Sequence, residues 1–127
     1  MEYFIRAYKN YANFEGRDTR KQYWMFYLFY AIFYILCAIV DGIFYVNGLV
    51  GEDGILTILF SLVSFLPSIA IATRRLHDIG KSGWWQLILL IPLIGILVLI
   101  YFTSKEGMHE DNQYGPSPYK NEDENIL

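Results

Sequence analysis

Charged residues are scarce in this chain, and their absence from particular places says more than the total. Only 18% of the 127 residues are Asp, Glu, Lys or Arg, against about 25% in soluble domains. Three long stretches contain none of them and no histidine. A disordered chain and a typical soluble domain are therefore both excluded. Cys37 is the single cysteine and lies inside an apolar stretch, which excludes an intramolecular disulfide. No apolar signal core or small-residue cleavage site appears before residue 22, so no cleavable signal is expected and the first apolar stretch becomes the insertion signal. A net charge of −3 with no long basic tract gives no expectation of a nucleic-acid partner.

What the chain does have is apolar length. The three uncharged blocks run from Tyr23 to Val40, Ile55 to Thr73, and Trp84 to Thr103. About 20 apolar residues at 1.5 Å rise cross a hydrocarbon core of about 30 Å. Block one is slightly short, and Ile43 to Val46 extend it. The remaining polar residues are too few to bury three such helices in a soluble fold. The expected fold is therefore an all-α membrane protein with three transmembrane helices, over residues 19–46, 55–79 and 83–104.

End signals agree. Thr19 with Gln22 forms a capping-box pattern. Gly80 is placed to end the second helix, and Ser82 to cap the third. Trp84 and Trp85 stand at one end of block three, and Tyr101 and Phe102 at the other, as two interfacial belts would. Arg6, Lys9, Arg17, Arg20 and Lys21 precede block one, and Arg74, Arg75 and Lys81 separate blocks two and three, whereas the tail holds only Lys105 and Lys120. With three spans, eight basic residues face two across the bilayer. The positive-inside rule then puts the N-terminus in the cytoplasm and the C-terminus outside.

Residues 1–18 read as a cytoplasmic arm with an amphipathic helix on the leaflet, because Phe4, Ala7, Tyr8, Tyr11 and Phe14 recur at helical spacing. Residues 105–127 read as an external acidic tail, irregular and disordered beyond Tyr119. Tyr23, Tyr27, Tyr30 and Tyr34 form one stripe on the first helix. Thr57, Ser61, Ser64, Ser68 and Ala72 form another on the second. The simplest packing sets one against the other, with hydroxyls as interhelical glue.

The densest set of reactive side chains lies between blocks two and three. Gly80-Lys81-Ser82 has the end of a P-loop but lacks its first glycine, Arg75 standing there. His77, Asp78, His109 and Cys37 are expected at different depths or on opposite sides, so neither a metal site nor any cofactor is expected. A His77–Asp78 acid–base pair has no placed nucleophile. Two readings of the cations stay open. Arg74, Arg75 and Lys81, with Arg17, Arg20 and Lys21, suit anionic headgroups; equally, they fix topology and pair locally. The interface cluster is thus Arg17, Arg20, Arg74, Arg75, His77, Asp78 and Lys81, and a salt bridge is expected from Asp78 to Arg17 or Arg20.

These residues also resemble a known family. Gly16-Arg17 with Arg20 and Tyr23-Trp24, then Arg74-Arg75-Leu76-His77-Asp78 with Gly80 and Ser82-Gly83-Trp84-Trp85, are similar to domain of unknown function 805. Pro92 with Gly95 continues the likeness, and Gly107, Asn112, Tyr114-Gly115-Pro116 and Pro118 close it, with Glu110 standing where a glycine is expected. The resemblance implies a three-span protein of the bacterial inner membrane and brings no activity with it.

The reading is a non-enzymatic accessory or envelope-associated protein, acting through the bilayer, anionic headgroups, a membrane-protein partner or a second copy. The alternative is a small transporter or channel subunit formed by oligomerisation, and an enzyme acting on lipids comes third.

Overall fold

The structure is a computed structural model and describes residues 2–49 and 54–119. Helix α1 covers Glu2–Lys9, α2 Arg20–Val46 and α3 Ile55–Asp78; a 3-10 helix, Gly83–Leu90, and α4, Ile94–Ser104, follow. Among the described residues there is no strand beyond an isolated bridge between Asn112 and Gly115. The expected disorder beyond Tyr119 lies outside the described residues.

Helix α2 starts where the capping box predicts. Thr19 Oγ1 accepts from Gln22 N–H at 3.3 Å, and Gln22 Oε1 accepts from Thr19 N–H at 2.7 Å. The helix then runs through Asp41 to Val46. Asp41 has a role that its position after block one did not suggest. Helix α3 opens at Gly54, which has φ +59° and no side-chain cap. Asp41 reaches across from α2 and accepts from Leu56 N–H at 3.1 Å, Thr57 N–H at 2.9 Å and the Thr57 hydroxyl at 2.7 Å. One helix thus caps the other, and a carboxylate meets the positive end of the α3 dipole. Both α2 and α3 are long and apolar enough to cross a bilayer.

At the opposite end α1 packs on both. Ala7 is buried with Phe26 and Ile71, and the Phe4 ring stacks on Phe26 at 5.7 Å and Phe33 at 5.2 Å. Tyr11 and Phe14 lie past the end of α1 and are exposed, because the helix stops four residues before Phe14. The Tyr–Ser seam forms only in part. Tyr27 bonds Ser68, but Ser64 is taken by the Tyr8 hydroxyl of α1, and Tyr30 stacks on Phe60 at 5.2 Å.

Block three departs from expectation. It is not one helix but a hairpin of two short arms. Ile94 N–H donates to Pro92 O at 2.7 Å, and Leu93 between them has φ +64° and ψ −62°, a γ-turn of the rare positive-φ kind. Proline cannot donate at position 92, which leaves the chain open to a break there. Gly95 lies against the Ile88 carbonyl, where a Cβ would collide with the backbone of the other arm. The hairpin reverses the direction of the chain. Trp85 and Phe102, read as opposite belts, therefore meet edge to face at 5.4 Å, and Lys81 Nζ lies 5.3 Å from each ring. Arg75, near the end of α3, donates to Thr103 O at the end of α4. Residues 105–119 consequently lie at the same end as Arg17 and Asp78, not across the molecule from them.

Candidate functional site: a buried Arg–Asp cluster closed by the tail

The last turn of α3 sets Arg74 and Arg75 about 100° apart and brings Asp78, three residues after Arg75, onto the face of Arg75, where the two pair. Asp78, fully buried, accepts from Arg17 Nε at 3.0 Å on Oδ1, and from Arg75 Nη1 at 2.8 Å and the Tyr119 hydroxyl on Oδ2. The expected bridge from Asp78 thus forms with Arg17. Arg20 takes no part in it; the start of α2 carries its guanidinium to Ser104 O at 3.4 Å.

Arg17 has its remaining donors on backbone carbonyls: Glu110 O at 2.8 Å, Gly115 O at 3.4 Å and Met108 O. Glu110 contributes through its carbonyl, which any residue could supply. Arg75 similarly donates to Asp18 O at 3.3 Å and to Lys105 O. Arg74 turns the other way. Its Nε donates to Asp18 Oδ2 at 2.7 Å, and its Nη1 to Asn13 O at 2.6 Å and Asn10 O at 3.1 Å. Arg6 of α1 lies 3.4 Å from Asp18 Oδ1. Three guanidinium groups and two carboxylates, with side chains no more than 5% exposed, therefore form one network.

His77 is spent structurally. Nδ1–H donates to Gly16 O at 3.0 Å, and the ring lies flat on Tyr114 with centroids 3.9 Å apart. Asn112 donates to His77 O at 2.9 Å, and Met108 N–H to Asp78 O at 2.8 Å. The tail can lie this close because residue 107 is glycine: a Cβ there would collide with both the Asp78 carboxylate and the Tyr119 hydroxyl. Burial, and then the bond to Asp78 and its charge, hold the Tyr119 phenol above its ordinary range.

The structure brings Arg17, Arg74, Arg75, His77 and Asp78 together. It leaves out Arg20, on the surface, and Lys81, held over the hairpin rings. The sequence reading missed Asp18, Gly107, Asn112, Tyr114 and Tyr119. Asp18 looked like a helix-start residue, and the four tail residues seemed to lie outside the membrane. Gly107, Asn112 and Tyr114 were nonetheless present in the motifs that carry the family likeness. Among the described residues, no three His, Cys, Asp or Glu side chains converge as metal ligands. Arginines pinned by three to five acceptors each, and a carboxylate with three donors, are arranged to lock segments together.

The family described as "Protein of unknown function (DUF805)" matches residues 11–116. "Inner membrane protein YhaH" of Escherichia coli (strain K12) is 42% identical over 118 residues, covering 93% of this chain and 97% of its own length. "Inner membrane protein YhaI" of the same strain is 44% identical over 118 residues, covering 93% and 96%. No solved structure matches.

Proposed function

The chain belongs to the DUF805 family, and on that premise we propose a non-enzymatic accessory protein of the inner membrane that acts through a membrane-protein partner and anionic lipid. One observation carries this reading: the reactive-looking side chains are consumed by the fold. Asp78 has three donors, His77 is stacked and bonded, and the arginines hold carbonyls and carboxylates. Within the cluster, among the described residues, each acid and base is already bonded. What the molecule offers outward is apolar helix surface in the bilayer and a rigid polar cap at one end.

In this reading α2 and α3 cross the bilayer and the hairpin is re-entrant. Eight residues of 3-10 helix and eleven of α-helix each reach about 16 Å, roughly half of a 30 Å core. Both termini then lie in the cytoplasm. Lys105 joins the other basic residues, so all nine among the described residues stand on one side, a stronger bias than three spans give. A C-terminal fluorescent fusion should light up in the cytoplasm, and an active C-terminal phosphatase fusion would overturn this placement. Photo-crosslinking from Leu97, an exposed residue of α4, should give one saturable protein adduct in native membranes; lipid adducts alone would count against a partner.

A second reading, a small transporter or channel subunit formed by oligomerisation, is favoured by the hairpin. Broken helices at membrane depth line cavities in transporters. Solute or ion flux into liposomes holding only this protein would support it.

A further inference from the structure

A cavity of about 490 Å³ lies between α2, α3 and the hairpin, within the size range of small-ligand sites. Its deeper wall is mostly apolar, with Phe65, Ile96 and Leu99, and carries the hydrogen-bonded Tyr27–Ser68 pair, whereas Trp24 stands level with Tyr23. The end nearest the Arg–Asp cluster is polar, with Tyr23, Gln86 and Thr103. Tyr23 is hydrogen-bonded to Thr103. Gln86 is held by Thr73 Oγ1 at 2.7 Å and Gly83 O at 3.2 Å. This polar end is therefore preformed.

Arg20 lies beside the polar end: it is one helical turn before Trp24 on the same face, and its guanidinium donates to Ser104 O at 3.4 Å, next to Thr103. It also lines a second cavity with Lys21 and Glu106. It is exposed, and among the described residues no carboxylate pairs with it. The contrast with buried and paired Arg17, Arg74 and Arg75 is complete. Lys21, one residue on, has its Nζ 5.7 Å from the centroid of the Tyr3 ring of α1.

Cation, polar groups and apolar wall follow one another with depth, as phosphate, ester and acyl chain do in a glycerophospholipid. We propose that this cavity binds one anionic glycerophospholipid. The phosphate meets Arg20, the glycerol region lies beside Tyr23 and Trp24, and an acyl chain lies along Leu99 and Ile96. A zwitterionic ethanolamine head would bring its own ammonium beside Arg20 and is disfavoured. The inference rests on the reading that sets the open end of the hairpin at the cytoplasmic leaflet.

The test uses the full chain with Trp84→Phe and Trp85→Phe, which leaves Trp24 as the one tryptophan of three. It is reconstituted in phosphatidylcholine nanodiscs containing brominated-chain phosphatidylglycerol. Trp24 should be half-quenched at a mole fraction about five-fold lower than with brominated phosphatidylcholine, the effect of one basic residue at an anionic surface. Arg20→Gln should remove most of that difference and Lys21→Gln almost none; the exposure of both side chains leaves the fold intact, and circular dichroism checks it. Equal quenching by brominated phosphatidylethanolamine would show a cavity filled by any chain and overturn the proposal. Equal losses from Arg20→Gln and Lys21→Gln would show diffuse surface attraction and also overturn it. So would a Trp24 shielded from every brominated lipid, which would mean that a second copy of the chain covers the cavity. The C-terminal fusion reads the placement separately: a phosphatase-active C-terminus with lipid enrichment intact would sink the placement and leave the site standing.

Discussion

The two ends of the α2–α3 pair are held by different means. At one end a single carboxylate, Asp41, caps the neighbouring helix and bonds its first threonine. At the other end five buried charged groups, three backbone segments and the tail are bound into one network. A cap needs only one good acceptor, because the donors of a helix start are already aligned. Three loose segments have no such alignment. The many-armed guanidinium group supplies it, with up to five donors in a fixed fork. Buried charges also raise the stakes. A network missing one member leaves a partner buried and unpaired, which costs far more than the complete network contributes.

The largest effect is therefore expected at Asp78. Asp78→Asn should destabilise the protein by about 3–5 kcal/mol, because Arg17 and Arg75 lose their shared counter-charge. Arg17→Ala should add little in the double mutant, since both changes open the same site. Thermal melts in detergent read both, and strict additivity would mean the two residues act independently. Next comes Gly107→Ala. Its new methyl group falls on Asp78 and Tyr119, so overpacking should cost about 1–3 kcal/mol and expose the tail to limited proteolysis. A wild-type digestion pattern would show that the tail does not need this close approach. Asp41→Asn should be milder than Asp78→Asn, a drop of a few degrees in melting temperature, because the one amide oxygen still accepts from Thr57 while only the bond from Leu56 N–H is lost to the facing NH2 group. A loss equal to that of Asp78→Asn would erase the difference between the two ends.

The smallest effect concerns Tyr119. Tyr119→Phe removes one donor from a carboxylate that keeps both guanidinium partners, so the loss should stay near the low end of the range of about 0.5–1.5 kcal/mol for a single hydrogen bond. The phenol is held above its ordinary range in the folded state, so the protonated form is the one that folding favours. Its contribution is full below the unfolded value of about 10 and falls as pH rises beyond it. Wild-type stability should therefore fall toward that of Tyr119→Phe above about pH 10, with the variants separated at pH 7. Parallel curves across that range would place the hydroxyl outside the network.

Block three shows where reading the residues stops. Its composition matches blocks one and two, and the expectation of a third span followed from length and hydropathy. Hydropathy registers that a segment is apolar but not that it folds back on itself. Pro92 and Gly95 were visible, yet many membrane helices carry both and remain continuous. The deciding contact is Gly95 against the Ile88 carbonyl, which exists only once both arms are formed. The contacts of residues 105–119 with Arg17 and Asp78 escaped notice for the same reason, because one continuous third helix would have carried them to the other end of the molecule. The bridge between Asp78 and Arg17 was legible because charge and depth alone bring those groups together. The partners from the tail were not.

The sequence by itself determined the membrane habitat, the two long helices, the capping box at Thr19, the stop at Gly80 and the membership of Arg17, Arg74, Arg75, His77 and Asp78 in one cluster. These follow from local spacing, helix periodicity and the cost of charge in lipid, which act within a few turns of chain. Only the tertiary structure decided that the hairpin folds back, that Asp41 caps the facing helix, and that the tail closes over Asp78. Each depends on carbonyls and side chains that are far apart in sequence, and backbone carbonyls are the same in every residue; no pattern of residue types could have named Glu110, Met108 or Thr103 as acceptors before the chain had folded.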